Sequence, residues 1–206
     1  IMVAGDGSGG LKWRRVSTRE LLSTRIFKVV ERDCEAPGGK VGRFVALEAP
    51  EWATVVPLVE GPEGPAFLMV RQYRHGSDEI SIEFPGGVVE EGEEPAAAAA
   101  RELEEETGYR ARVMTDLGWT YPNPAFMGNR FHVFLAEGCE PEGRVCLDEH
   151  ELVDAFLVPV AEVREGMGKG QYSHALMVVA LYLAERALRT RSAAERELAS
   201  RPAAGL

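Results

Sequence analysis

Apolar positions fall into short β-branched and aromatic runs over the first half of the chain and take helical spacing only late. From Leu11 to Glu48, "RIFKVVERD" and "GRFVALEAP" are parted by "APGGKVG", whose Pro-Gly-Gly is a turn signal, which predicts a small antiparallel meander. "WATVVPLVE" (Trp52 to Glu60) and "AFLMVRQYR" (Ala66 to Arg74) predict strands joined through "GPEGP". "EFPGG" ends a further predicted strand, and strong helix formers fill Glu94 to Thr107, with Pro95 at a tolerated first-turn position and Gly108 as the stop. "RFHVFLAEG" and "ELVDAFLVPV" read as strands, "VAEVREGMGKG" as a short helix and "QYSHALMVVALYLAERALRTR" as a longer one. The order strands, helix, strands, helices favours an α+β sandwich over a doubly wound parallel sheet. The expected organisation is a flexible lead over 1–10, the meander over 11–50, the main domain over 51–190 and a frayed tail over 191–206.

Composition changes this picture little. The chain has 206 residues, 45% hydrophobic and 27% charged, as in an ordinary globular protein. Its formal charge of −10 argues against an extended nucleic-acid surface. A phosphate-bearing small molecule stays open, because a bound divalent ion reverses the local sign. Cys34, Cys139 and Cys146 have no zinc spacing and read as reduced thiols. No run is long enough for a membrane span and no signal pattern opens the chain, so a cytoplasmic location with no membrane partner is expected.

The negative charge is concentrated on the predicted helix. Glu102, Glu105 and Glu106 lie at i, i+3 and i+4 and project from one face, where like charges repel unless a cation intervenes. Ala96, Ala99, Ala100 and Leu103 form the expected packing side. A solvated acidic face is the plain alternative. The flanks favour chemistry: a strand, then Gly86 and Gly87 allowing close backbone approach, then the acidic helix, make a layout for phosphate and a hard divalent metal.

Gly87, five residues, Glu93, seven residues, Arg101-Glu102-Leu103, Glu104, Glu105-Glu106, Thr107, Gly108, Tyr109 resembles the Nudix box at every defined position. The resemblance implies an α/β/α sandwich around a mixed sheet and Mg²⁺- or Mn²⁺-dependent hydrolysis of a nucleoside diphosphate linked to another moiety. It implies Glu102 and Glu106 as the main metal ligands, Glu105 as a further ligand with a catalytic part, and the Gly86 carbonyl as a backbone ligand. Glu93 and Arg101 are expected to brace the loop against the helix, with Gly87 and Gly108 structural in the motif. Glu104, at an unspecified position, is expected to face solvent.

Features outside the box point to the ADP-ribose pyrophosphatase and nucleotide-sugar hydrolase subgroup. "VRQYRHG" before "IEFPGG" resembles the lead-in of those enzymes and makes Arg74 the expected diphosphate contact, with a surface ion pair as the alternative. Pro124, sixteen residues beyond Gly108, resembles a marker of the same subgroup. "LDEHELVDAFLV" resembles a base-bearing loop, which implies Glu149 as general base and Glu151 as helper and metal contact, acting once substrate closes the loop. The meander resembles a segment that pairs with its counterpart in that subgroup, and the resemblance implies a homodimer with Phe27 and Phe44 (or Trp13 or Trp52) stacking on the base, core packing being the alternative for each. The expected substrate is ADP-ribose or a related sugar nucleotide such as GDP-mannose, giving a nucleoside monophosphate and a sugar phosphate. A triphosphate pyrophosphatase and a non-catalytic nucleotide-sugar sensor are the competing readings.

Overall fold

The structure is a computed structural model that describes residues 10–147 and 149–200. Apart from Gly10, the expected flexible lead lies outside the described residues. The chain divides into two compact units: one runs to Pro50 and includes Tyr121–Arg130, and the other holds Glu51–Thr120 and everything from Phe131 on. The segment around Pro124 therefore groups with the meander, although the sequence reading put it in the main domain.

In the first unit, β1 (Arg14–Ser23), β2 (Lys28–Glu35) and β3 (Val41–Glu48) form an antiparallel sheet in that order. The turn between β2 and β3 needs Gly38 and Gly39, at φ +92° and +84°, where a side chain would be strained. The Tyr121–Arg130 segment joins this unit through the Leu47 amide, which donates to the Phe126 carbonyl at 2.7 Å. Val16, Leu21, Leu22, Ile26 and Val45 are exposed apolar residues of the unit.

The second unit is a mixed sheet between helices. β4 (Trp52–Gly61), β5 (Gly64–Arg74), β8 (Val113–Thr120), β9 (Phe131–Glu137) and β10 (Val153–Pro159) run in the order β10-β5-β4-β9-β8. β6 (Glu79–Glu83) pairs with β5, and β7 (Gly86–Val88) with β4. Among the pairings of these described strands, β4–β9 is parallel and the rest are antiparallel. Central strands covered on both faces are apolar at successive positions, which explains runs such as "FHVFLA".

Alternate residues of these strands feed two cores. Val56, Phe67, Met69, Val133 and Leu135 pack with Val163 of α2 (Val160–Gly166) and with Met177, Ala180, Leu181 and Ala184 of α3 (Ala175–Ser200). Phe67 and Phe84 meet edge to face there, 5.4 Å apart, a contact of about 1 kcal/mol. Ala53, Val55, Leu68, Phe134 and Ala136 pack with Ala98, Ala99 and Leu103 of α1 (Pro95–Thr107).

Three sequence expectations need correction. Ala96 and Ala100 are exposed, and α1 buries Ala98, Ala99, Leu103, Glu106 and Thr107 instead. The stripe Ala99, Leu103, Glu106 follows i, i+4, i+7, so a carboxylate stands in the packing face itself. β8 was not foreseen: its residues are mostly polar or half-buried, and Gly118 (φ +97°) sits at a register shift between Asp116 and Trp119. The tail expected to fray from 191 is helical as far as Ser200, the residues beyond lying outside the described ones.

Candidate active site

α1 starts without a side-chain cap, using Pro95 in its first turn, and ends on Gly108 in the left-handed conformation (φ 72°). That ending lets the Gly108 amide close on the Glu104 carbonyl at 2.7 Å. The helix lies beside the Pro85–Gly87 turn, which is fixed from β4. The Pro85 carbonyl accepts from the Val55 amide at 3.0 Å and from the buried Thr54 hydroxyl at 2.9 Å. A Cβ at Gly86 would fall 2.4 Å from the Ala53 carbonyl oxygen, and one at Gly87 would fall 2.4 Å from Glu102 Oε1. At Gly86 the β4 backbone comes too close for any side chain, whereas a side chain at Gly87 would displace the Glu102 carboxylate.

Glu106 is only 6% exposed, and its Oε2 accepts from the Gly86 amide at 3.0 Å. Burial, together with the nearby charges of Glu102 and Glu151, pushes its carboxyl up to about 8, although the Gly86 amide and Arg74 work against the rise. Burial likewise raises Glu102, opposed by Arg101. Arg101 spreads its guanidinium over Glu93 (3.0 and 3.1 Å), the Val88 carbonyl (3.1 Å), Glu102 (2.9 Å) and Glu105 (2.9 Å). The Arg101 fork holds Glu93 below the usual carboxylate range, and Glu93 also accepts from the Glu90 amide at 3.0 Å.

The oxygen donors and their crowded charge fit a hard divalent cation, which takes carboxylate and carbonyl oxygens. Glu102, Glu105, Glu106 and the Gly86 carbonyl are the groups available to hold it. Among the described residues, no three acidic, histidine or cysteine side chains already enclose such an ion. Arg101 engages one oxygen each of Glu102 and Glu105, which leaves their other oxygens available for a cation.

Arg74 is anchored rather than loose: its Nε and Nη2 donate to Glu83 at 2.7 and 2.6 Å. Glu83 is 1% exposed, and although burial raises its pKa, the Arg74 fork outweighs that and holds it low. Arg74 also lies within the electrostatic reach of Glu106 and Glu151. The site thus brings together Arg74, Gly86, Gly87, Glu102, Glu105, Glu106 and Glu151. Glu149 is an exposed turn residue two positions earlier.

Phe27, Phe44 and Pro124 belong to the other unit. Phe27 is half-buried, and Phe44 is exposed but stands edge-on to Trp13 at 5.2 Å. Trp52 packs against the α3-side core. Sequence reasoning missed Glu83 and Thr54, which orient Arg74 and the Pro85 carbonyl. A glutamate in an otherwise apolar strand end, "SIEF", was the available signal for the first. It also assigned Glu104 to solvent, whereas Glu104 grips Arg110 with both oxygens, at 2.8 and 2.6 Å.

A mixed sheet between helices, with a glutamate helix rising from a glycine turn, defines a Nudix-type hydrolase. Residues 50–177 match the NUDIX domain family, and the chain belongs to it. It is 33% identical to the ADP-ribose pyrophosphatase of Bacillus subtilis (strain 168), over 74% of this chain and 81% of that one. It is 31% identical to the methanol dehydrogenase activator of Bacillus methanolicus, over 72% and 80%. Among solved structures, an ADP compounds hydrolase matches with a TM-score of 0.76 and 24% identity, covering 87% of this chain and 96% of that one, a likeness of fold. Among the described residues, no helix is long and apolar enough to cross a membrane.

Proposed function

We propose that the protein hydrolyses the diphosphate bond of ADP-ribose or a related nucleoside diphosphate sugar, such as GDP-mannose, with Mg²⁺ or Mn²⁺, releasing a nucleoside monophosphate and a sugar phosphate. The observation that carries this reading is the buried Glu106 carboxyl, crowded by Glu102 and Glu151 and held by the Gly86 amide, with Arg74 nearby. The relative named ADP-ribose pyrophosphatase supports the substrate class.

A bound divalent cation supplies charge neutralisation at the diphosphate. Glu102, Glu105, Glu106 and the Gly86 carbonyl would hold it, and Glu151 would add a further oxygen. Arg74, oriented by Glu83, presents positive charge to the diphosphate, so little reorganisation is needed when charge builds on the phosphoryl oxygens. Glu149 takes the proton from the attacking water. The exposed apolar residues of the meander support a homodimer, in which Phe27 or Phe44 stacks on the base, and Pro124 is a further substrate-binding candidate.

A panel of ADP-ribose, GDP-mannose, UDP-glucose, dinucleotides and nucleoside triphosphates, with and without Mg²⁺, tests the reading. The expected result is Mg²⁺-dependent release of AMP and ribose 5-phosphate from ADP-ribose. Preference for triphosphates, or no cleavage at all, would overturn it.

A further inference from the structure

The loop from Gly138 to Leu147 leads from β9 towards Glu149 and Glu151, and it is fastened to the C-terminal end of α1 at several points. Arg110 and Glu140 exchange two backbone hydrogen bonds of 2.9 Å. The Gly143 amide donates to the Gly108 carbonyl at 2.9 Å, and the Cys146 amide to the Glu105 carbonyl at 2.9 Å. These use helix-end carbonyls that have no partner within the helix. One side chain runs through the middle of the set. Glu104 grips Arg110 with both oxygens, and the Arg144 backbone amide faces the same carboxylate. Gly143 lies so close that a Cβ there would meet Glu104 Cγ at 2.6 Å.

We propose that Glu104 is a positioning residue: it latches the 143–146 stretch to the metal-site helix and thereby sets where Glu149 and Glu151 stand. The inference rests on the hydrolase reading above and deepens it. Glu104 is not among the groups assigned to metal or substrate, and its partners are Arg110 and the Arg144 backbone. Its carboxylate bridges the chain that leaves the helix, at Arg110, and the loop that returns to it, at Gly143 and Arg144. Cys146 is bonded to the carbonyl of Glu105, so the anchor ends three residues short of Glu149. Because Glu105 neighbours Glu106 on the helix, a firm latch places the loop carboxylates relative to the ligands, and a loose one lets them wander. Misplacement of a reacting group by about 1 Å costs on the order of 100-fold in rate.

The test compares wild type with Glu104→Ala, Glu104→Gln and Gly143→Ala, each in the full chain. Gly143 has no left-handed φ, so alanine strains the contact to Glu104 and not the backbone. With ADP-ribose and Mg²⁺, Glu104→Ala is expected to lower kcat on the order of 10- to 100-fold. KM and the Mg²⁺ concentration for half-maximal rate should stay within about two-fold, because the ligands and Arg74 are untouched. Glu104→Gln keeps an acceptor oxygen and should lose less. Gly143→Ala should reproduce the kcat defect, and the double variant should be no worse than either single one, since both break one contact. Hydrogen exchange without substrate should quicken at the Gly143 and Cys146 amides and not in β4 or β9. Unchanged kcat, additive defects, or a parallel rise in the Mg²⁺ requirement would overturn the latch. Should the wild type cleave no diphosphate, the hydrolase reading fails while the exchange measurement still decides whether Glu104 holds the loop.

Discussion

The sheet-facing and loop-facing sides of α1 carry the same residue type and use it differently. Glu106 occupies the packing stripe behind Ala99 and Leu103, almost out of water, and accepts a hydrogen bond from the Gly86 backbone amide. Glu104, two positions away, keeps its charge in a fork with Arg110, which holds its carboxyl below the usual range. The first is a buried carboxyl that burial pushes towards its protonated form. The second is already satisfied and serves geometry. Helical phase and the neighbours it selects separate the two roles, and residue identity does not.

The largest test of that contrast is Glu106→Gln. It should reduce Mg²⁺-dependent turnover about 1,000-fold in a steady-state assay while the circular dichroism spectrum is retained, since an electrostatic group is lost without loss of volume. The same site predicts a pH signature. The Glu106 carboxyl rises from 4.5 to about 8, so the folded protein binds more protons than the unfolded chain between those values. Without metal, this group's contribution to stability is full below about pH 4.5 and is lost as pH rises through about 8. Melting curves in chelator should therefore show a downward slope over that window in wild type and its loss in Glu106→Gln. An unchanged slope would return Glu106 to an ordinary solvated carboxylate.

Smaller effects sharpen the contrast at the glycine turn and the brace. Gly87→Ala drives a Cβ into the Glu102 carboxylate and should cost roughly 100-fold in turnover. Gly92→Ala meets open space but sits at φ +82°, so it should cost about 1 kcal/mol of stability in denaturant melts and leave turnover near wild type. Arg101→Lys keeps the charge but not the fork that spans Glu93, Val88, Glu102 and Glu105, and a loss of about 10-fold in turnover is expected. Equal effects from the two glycine changes would mean that the Glu102 contact plays no part.

Most of the fold could be read from the chain because its cues are local. The apolar runs of β4, β5 and β9, the Pro95 start and the Gly108 stop each announce themselves within a few residues. The box glutamates were readable through spacing, and the resemblance that spacing carries added the family. What stayed hidden depends on partners distant in sequence. Glu104 looks like a solvent-facing spacer until Gly143 and Arg144 fold back on it. Glu83 looks like a strand residue until Arg74 pairs with it across β5 and β6. The packing face of α1 was misjudged because an alanine run has no apolar contrast to fix its phase, and the buried stripe ends in a charged residue. Pro124 was assigned by distance from the box, yet its segment folds with the meander.

The central claim is that α1 and the Gly86 turn form a divalent-cation site in which the metal displaces a proton from Glu106. Calorimetric titration of Mg²⁺ into substrate-free protein at pH 7, in two buffers of different ionisation enthalpy, counts the protons released. The account predicts binding with release approaching one proton per site, and loss of that release in Glu106→Gln. Binding without proton release, or no binding to the wild type, would contradict it.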